Sequence, residues 1–82
     1  MYEEIISVPI PEENYRVPEL VQLACTFQSR ITIRSRNSTY NAKSIMGMMS
    51  MDPRNSALQI CAEGDDEKEA VTAIISFLTS GM

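Results

Sequence analysis

Two different periods alternate along this chain, and their order limits the folds open to it. From Arg30 to Ser35 the residues switch sides one by one, Ile31 and Ile33 against Arg30, Thr32 and Arg34, as a half-buried strand requires. Glu4 to Ile10 repeats the pattern, with Ile6, Val8 and Ile10 opposed to Ile5, Ser7 and Pro9, and so do Leu58, Ile60 and Ala62 against Gln59 and Cys61. Between these runs the spacing becomes helical: Leu20, Val21, Leu23, Ala24 and Phe27 form one apolar stripe, and Val71, Ile74, Ile75 and Leu78 form another.

The punctuation agrees with the periods. Pro9 has no amide to donate, so its strand is an edge or stops there, and Pro11-Glu12-Glu13-Asn14 reads as a loop. Pro18 and Glu19 suit the first turn of a helix. Arg36-Asn37-Ser38 supplies a turn, Asn37 being the residue that tolerates positive φ, so that Thr39 to Ala42 returns as a paired strand. Asp52-Pro53-Arg54-Asn55-Ser56 is a loop by composition. Asp66 with Glu69 three residues on predicts a capping box for the last helix, and Gly81 closes it. The predicted order is βαββαβα. Strands with one apolar face and helices with one apolar stripe bury them against each other, which places the chain in the α+β class with an antiparallel sheet covered by helices on one side.

At 82 residues there is room for one domain, spanning 1–82, and no second. A hydrophobic content of 44% without tryptophan predicts a core of Ile, Leu, Val, Met and Ala. The net charge of −4 argues against nucleic acid even though Arg30, Arg34 and Arg36 lie close together. An RNA-binding sheet lacks the exposed aromatics and positive potential it would need. Cys25 and Cys61 form no CxxC pair, and no histidine is present to complete a metal site. They read as free thiols, small buried hydrophobes in a reducing cytoplasm, the alternative being a redox pair made by packing of their two elements. The acidic group Glu63, Asp65, Asp66 and Glu67 complements a helix N-terminus. The acidic start Met1-Tyr2-Glu3-Glu4 lacks a signal-peptide layout and no apolar run approaches membrane-spanning length, so a cytosolic protein without membrane contact or cofactor is expected.

The chemistry gathers at Asn41-Ala42-Lys43-Ser44-Ile45-Met46-Gly47-Met48-Met49-Ser50-Met51. Ser44 has the position of an N-cap before a short helix. A phosphate there would meet free backbone N–H groups and the favourable end of the helix dipole. Met48 and Met51 share one face of that helix, while Ile45, Met46 and Met49 gather on the next. Two arrangements satisfy the spacing: all five side chains enter the core, with methionine filling gaps, or Ile45, Met46 and Met49 stay outside as an apolar docking patch beside the serine. Lys43 either pairs with a phosphate or an acidic partner surface, or is an ordinary solvated lysine.

This stretch resembles the regulatory-serine region of HPr, the small phosphocarrier family of the bacterial sugar phosphotransferase system, including its regulatory paralogue Crh. Ala62-Glu63-Gly64-Asp65-Asp66-Glu67-Lys68-Glu69-Ala70 is similar to the start of that family's last helix, and the likeness extends from Val21 to Leu78. It implies an open-faced β-sandwich of four strands and three helices. It also implies a histidine at the start of the first helix that carries phosphate, and this sequence has no histidine. One alignment puts Glu13 at that position and another, matching Pro18 to the motif proline, puts Tyr15 there. Neither side chain can form a phosphoramidate, so classical phosphocarrier transfer is excluded chemically. Under the Pro18 alignment Val17 stands where the family has its motif arginine, and Arg16 is displaced by one.

What the resemblance implies is therefore a regulatory binding protein and no enzyme. A serine kinase of the HPr kinase/phosphorylase type would phosphorylate Ser44, and the phosphoserine with Lys43, Ile45, Met46 and Met49 would dock on a partner such as a catabolite-control transcription factor. The second reading keeps the fold as a scaffold without phosphorylation, its patch binding an unrelated protein or another copy of the chain.

Overall fold

The computed structural model describes residues 1–7, 10–51 and 57–80. Expectations that fall on Val8, Pro9, the loop from Asp52 to Ser56, and Gly81 lie outside the described residues. The chain runs β1 (Tyr2–Ile6), α1 (Val17–Cys25), β2 (Arg30–Ser35), β3 (Ser38–Asn41), α2 (Ile45–Ser50), β4 (Leu58–Glu63) and α3 (Glu67–Thr79). The strands form one antiparallel sheet in the order β1-β4-β2-β3. This is the expected βαββαβα arrangement.

Period two decides which face of the sheet is covered. Ile6, Ile31, Ile33, Leu58, Ile60 and Ala62 are buried and meet Leu20, Val21 and Ala24 of α1 and Ala70, Val71, Ile74 and Leu78 of α3 in one cluster. Each of the Ile, Leu and Val side chains removed from water contributes roughly 1.5–3 kcal/mol, and each alanine less. Their strand neighbours Ile5, Thr32, Arg34, Gln59 and Cys61 point to the other side, which no helix among the described residues covers.

Several local expectations are corrected. β1 starts at Tyr2 and ends at Ile6 instead of running from Glu4 to Ile10: its pairing extends from Tyr2 opposite Ala62 to Ile6 opposite Leu58, the first residue of β4. Ile10 is still buried. The stretch after Pro11 is a 3-10 turn over Glu12–Asn14, and the Asn14 amide donates to the carbonyls of Leu78 (2.9 Å) and Ser80 (2.8 Å) at the far end of α3. In the β2–β3 turn Arg36, not Asn37, takes the left-handed conformation, with φ of 58°. Ser35 pairs with Ser38, leaving Arg36 as the first central residue of a two-residue turn, where primed hairpin turns need positive φ.

The capping box at α3 does not form. Asp66 occupies the N-cap position but makes no side-chain bond to its own helix. Its carboxylate instead accepts the Gln28 and Ser29 N–H groups, both at 2.9 Å, and the Ser29 hydroxyl. The carboxylate of Glu67, not Glu69, reaches back, accepting from the Gly64 N–H at 3.2 Å. Nor are both cysteines buried. Cys25 is exposed at the end of α1, and Cys61 is half-buried on the outer face of the sheet. Both thiols are free, and the sheet separates them.

Candidate functional site: the serine cap and helix α2

β3 delivers the chain to α2 through a tight bend held at both ends. The Ser44 N–H donates to the Asn41 carbonyl (3.0 Å) and the Lys43 N–H to the Asn41 side-chain oxygen (2.9 Å). Ser44 itself is extended, with φ −109° and ψ 118°, and its Oγ accepts from the Gly47 N–H at 3.1 Å. Its carbonyl takes the Met48 N–H at 3.0 Å. That is N-cap geometry, in which the Ser44 hydroxyl oxygen serves its own helix as an acceptor.

Six residues of helix cannot bury every apolar side chain, and α2 divides them. Met48 and Met51 are 0% and 4% exposed, within the core. Ile45, Met46 and Met49 are 49%, 81% and 69% exposed, on the solvent side next to Ser44. Of the two arrangements open from spacing, the structure has the one with these three outside. Lys43 lies at the same corner, half-buried, its ammonium donating to the Phe27 carbonyl just past α1 at 2.8 Å. A cation there complements the end of α1.

The two positions considered for the missing histidine differ in their surroundings. Glu13 is exposed on the 3-10 turn. Tyr15 is half-buried just ahead of α1, and its hydroxyl donates to the Met48 carbonyl of α2. Burial first, then the neighbouring Tyr40, pushes this phenol up to about 12, so it remains a neutral donor. Between Tyr15 and α2 a depression of about 310 Å³ is lined by Glu12, Tyr15, Val17, Met49 and Met51. Arg16 sits at the N-cap of α1, its guanidinium 5.2 Å from the Phe77 ring centre and its Nε 3.9 Å from Glu19. Its ring contact directs it toward α3.

A family model described as the PTS HPr component phosphorylation site matches residues 17–80. The chain belongs to the HPr family of the phosphotransferase system. The HPr-like protein Crh of Halalkalibacterium halodurans is 44% identical over 59 residues, 71% of this chain and 70% of that one. The phosphocarrier protein NPr of Proteus mirabilis is 40% identical over 65 residues, 77% of this chain and 72% of that one. Among solved structures, HPr-C-His from Thermoanaerobacter tengcongensis superposes with a TM-score of 0.83 at 35% identity, covering 98% of this chain and 93% of its own. The matched segment begins at Val17, so Glu13 and Tyr15 both precede it.

Within this HPr-family fold, sequence reading had singled out Ser44, Lys43, Ile45, Met46 and Met49, and the structure brings them to one corner. It did not anticipate the tie from Tyr15 to Met48 or that from Lys43 to Phe27. Each joins residues from separate elements, and no local pattern announces them. Among the described residues no group of three or more Cys, Asp or Glu side chains is placed to hold a metal ion, and no helix is long and apolar enough to cross a membrane.

Proposed function

We propose that this HPr-family chain is a regulatory binding protein of bacterial carbon-catabolite control, switched by phosphorylation at Ser44, and that it is neither a histidine phosphocarrier nor an enzyme. The observation that carries this reading is the adjacency of a capping serine to an apolar patch left outside the core on the same short helix. A kinase of the HPr kinase/phosphorylase type transfers phosphate to Ser44 Oγ in the cytoplasm. The added charge, about −1.5 to −2, joins the free N–H groups at the start of α2 and offers acceptors to arginines of a catabolite-control-type transcription factor. Ile45, Met46 and Met49 supply the desolvated area, and Lys43 turns toward the phosphate or the partner. Either Tyr15 or Glu13 takes the place of the phosphocarrier histidine, and of the two Tyr15 reaches α2. A neutral phenol tied to the Met48 carbonyl holds α1 and α2 together there.

A second reading rests on the same bonds. Ser44 Oγ already serves its helix and the Lys43 ammonium already has a carbonyl, as in a scaffold whose patch binds without phosphate. Intact-mass measurement after incubation with an HPr kinase/phosphorylase and ATP separates the two. The expected result is one phosphate on the native chain and none on Ser44→Ala. An unmodified native chain, beside a true HPr modified normally in the same assay, overturns the phosphoserine switch in favour of the scaffold.

A further inference from the structure

Apart from Met1 and Met82, every methionine in this chain lies between positions 46 and 51. Helix α2 then sorts these four into two pairs: Met48 and Met51 lie in the core, while Met46 and Met49 stand 81% and 69% exposed on the patch. The thioether of a methionine is the one apolar group that a mild oxidant converts into a polar one without breaking the chain. Leucine or isoleucine would supply the same apolar area without that chemistry.

We propose that Met46 and Met49 form a reversible oxidation site, through which peroxide turns the apolar patch polar while the fold stays intact. In the reaction the sulfur lone pair attacks one oxygen of hydrogen peroxide. The S–O bond forms as the O–O bond breaks, and the departing hydroxide takes the remaining proton and leaves as water. Sulfur is oxidised by two electrons and the peroxide is reduced by two. Methionine sulfoxide reductase reverses the change with a dithiol, which becomes a disulfide as the sulfoxide oxygen leaves as water. Met48 is shielded because it is fully buried, its sulfur 3.8 Å from the Tyr15 hydroxyl, and Met51 is buried likewise.

The consequence is selective. Oxidised Met46 and Met49 each present a strong S–O dipole where a partner would meet hydrocarbon, whereas the core contacts that hold α2 are untouched. This deepens the docking role proposed for the patch and rests on it: the modification would release a partner whether or not Ser44 carries phosphate.

The test uses the folded chain in a Cys25→Ser background, which removes the exposed thiol. After graded peroxide and quenching with free methionine, peptide mapping counts the oxygen at each position. Met46 and Met49 are expected to oxidise at least about tenfold faster than Met48 and Met51, since susceptibility follows exposure, and urea-unfolded chain should lose the difference. At the dose that saturates the exposed pair, retention on a hydrophobic-interaction column should fall and the urea midpoint should hold, both returning to the start after reductase treatment. Equal rates at all four methionines, or unchanged retention, overturn the proposal. The rate of Ser44 phosphorylation by the kinase is then compared before oxidation, after it, and after repair. A several-fold loss restored by the reductase supports control of docking, and an unchanged rate overturns that control. A chain that the kinase never modifies, even when reduced, sinks the phosphoserine reading, while selectivity and retention are judged on their own.

Discussion

Ser44 and Asp66 both stand immediately before a helix, and they use their oxygens in opposite ways. Ser44 turns its hydroxyl inward along the chain and caps α2 through Gly47, three residues on. Asp66 turns its carboxylate away from α3 and holds the start of β2 through Gln28 and Ser29. The first is a local device that fixes one short element. The second ties two distant parts of the chain, and Gly64 lets them approach: a Cβ added there would stand 2.7 Å from the Ser29 Cα and 2.6 Å from its Oγ, at a φ of +154°. A polar residue in front of a helix is thus not a cap until its partners are known.

The contrast can be broken most forcefully at the distant tie. Gly64→Ala forces the β4–α3 corner away from Ser29 and should lower stability by roughly 2–4 kcal/mol, combining backbone strain with a buried clash; urea unfolding reads this as a shift in midpoint, and a wild-type midpoint would mean that the corner moves freely. At the local cap the effect is smaller. Ser44→Ala should cost about 0.5–2 kcal/mol and leave β2 undisturbed, so amide exchange should rise in α2 and stay the same at Gln28 and Ser29.

The third comparison uses pH. The bond from the Ser29 hydroxyl, followed by that from the Gln28 N–H, holds the Asp66 carboxyl below its ordinary value of 3.8. A depressed folded-state pKa contributes stability that is present above the unfolded value and is lost as pH falls through the folded one. Asp66→Asn should therefore lower stability at neutral pH and flatten its decline under acid. Ser44→Ala, which touches no titrating group, should keep the native slope. Parallel acid profiles for Asp66→Asn and the native chain would show that the tie does not depend on charge.

Legibility in the sequence followed the range of the forces involved. The inward rows Ile31/Ile33 and Leu58/Ile60/Ala62 were readable because a pleat repeats every two residues, and the order of elements followed from such rows and stripes. Ser44 was readable because an N-cap and its donor lie within one turn. Asp66 was misread for the same reason: serine 29 lies 37 residues away, and the nearby Glu69 completed a local motif that the fold does not use. Asn14, whose partners at the end of α3 lie 64 and 66 residues on, passed as a loop residue. The apolar neighbours of Cys25 point to burial, yet it falls one residue past Ala24, beyond the edge of the stripe that α1 buries. At the candidate site the separation of Ile45, Met46 and Met49 from Met48 and Met51 could be read, but not that the first group stays outside the core, because that depends on how the neighbouring elements pack on α2.

One consequence of the uncovered sheet face concerns descent. Thr32, Arg34 and Gln59 take part in the ladder through their backbones while their side chains meet solvent, and exchanges at such positions usually move stability by no more than about 0.5 kcal/mol. Their opposite-facing neighbours Ile31, Ile33 and Ile60 are fully enclosed, and truncating any of them costs about 2–5 kcal/mol. Replacements can therefore accumulate on one side of the molecule while the other resists them, so that a single strand keeps two clocks, fast and slow, on alternate residues.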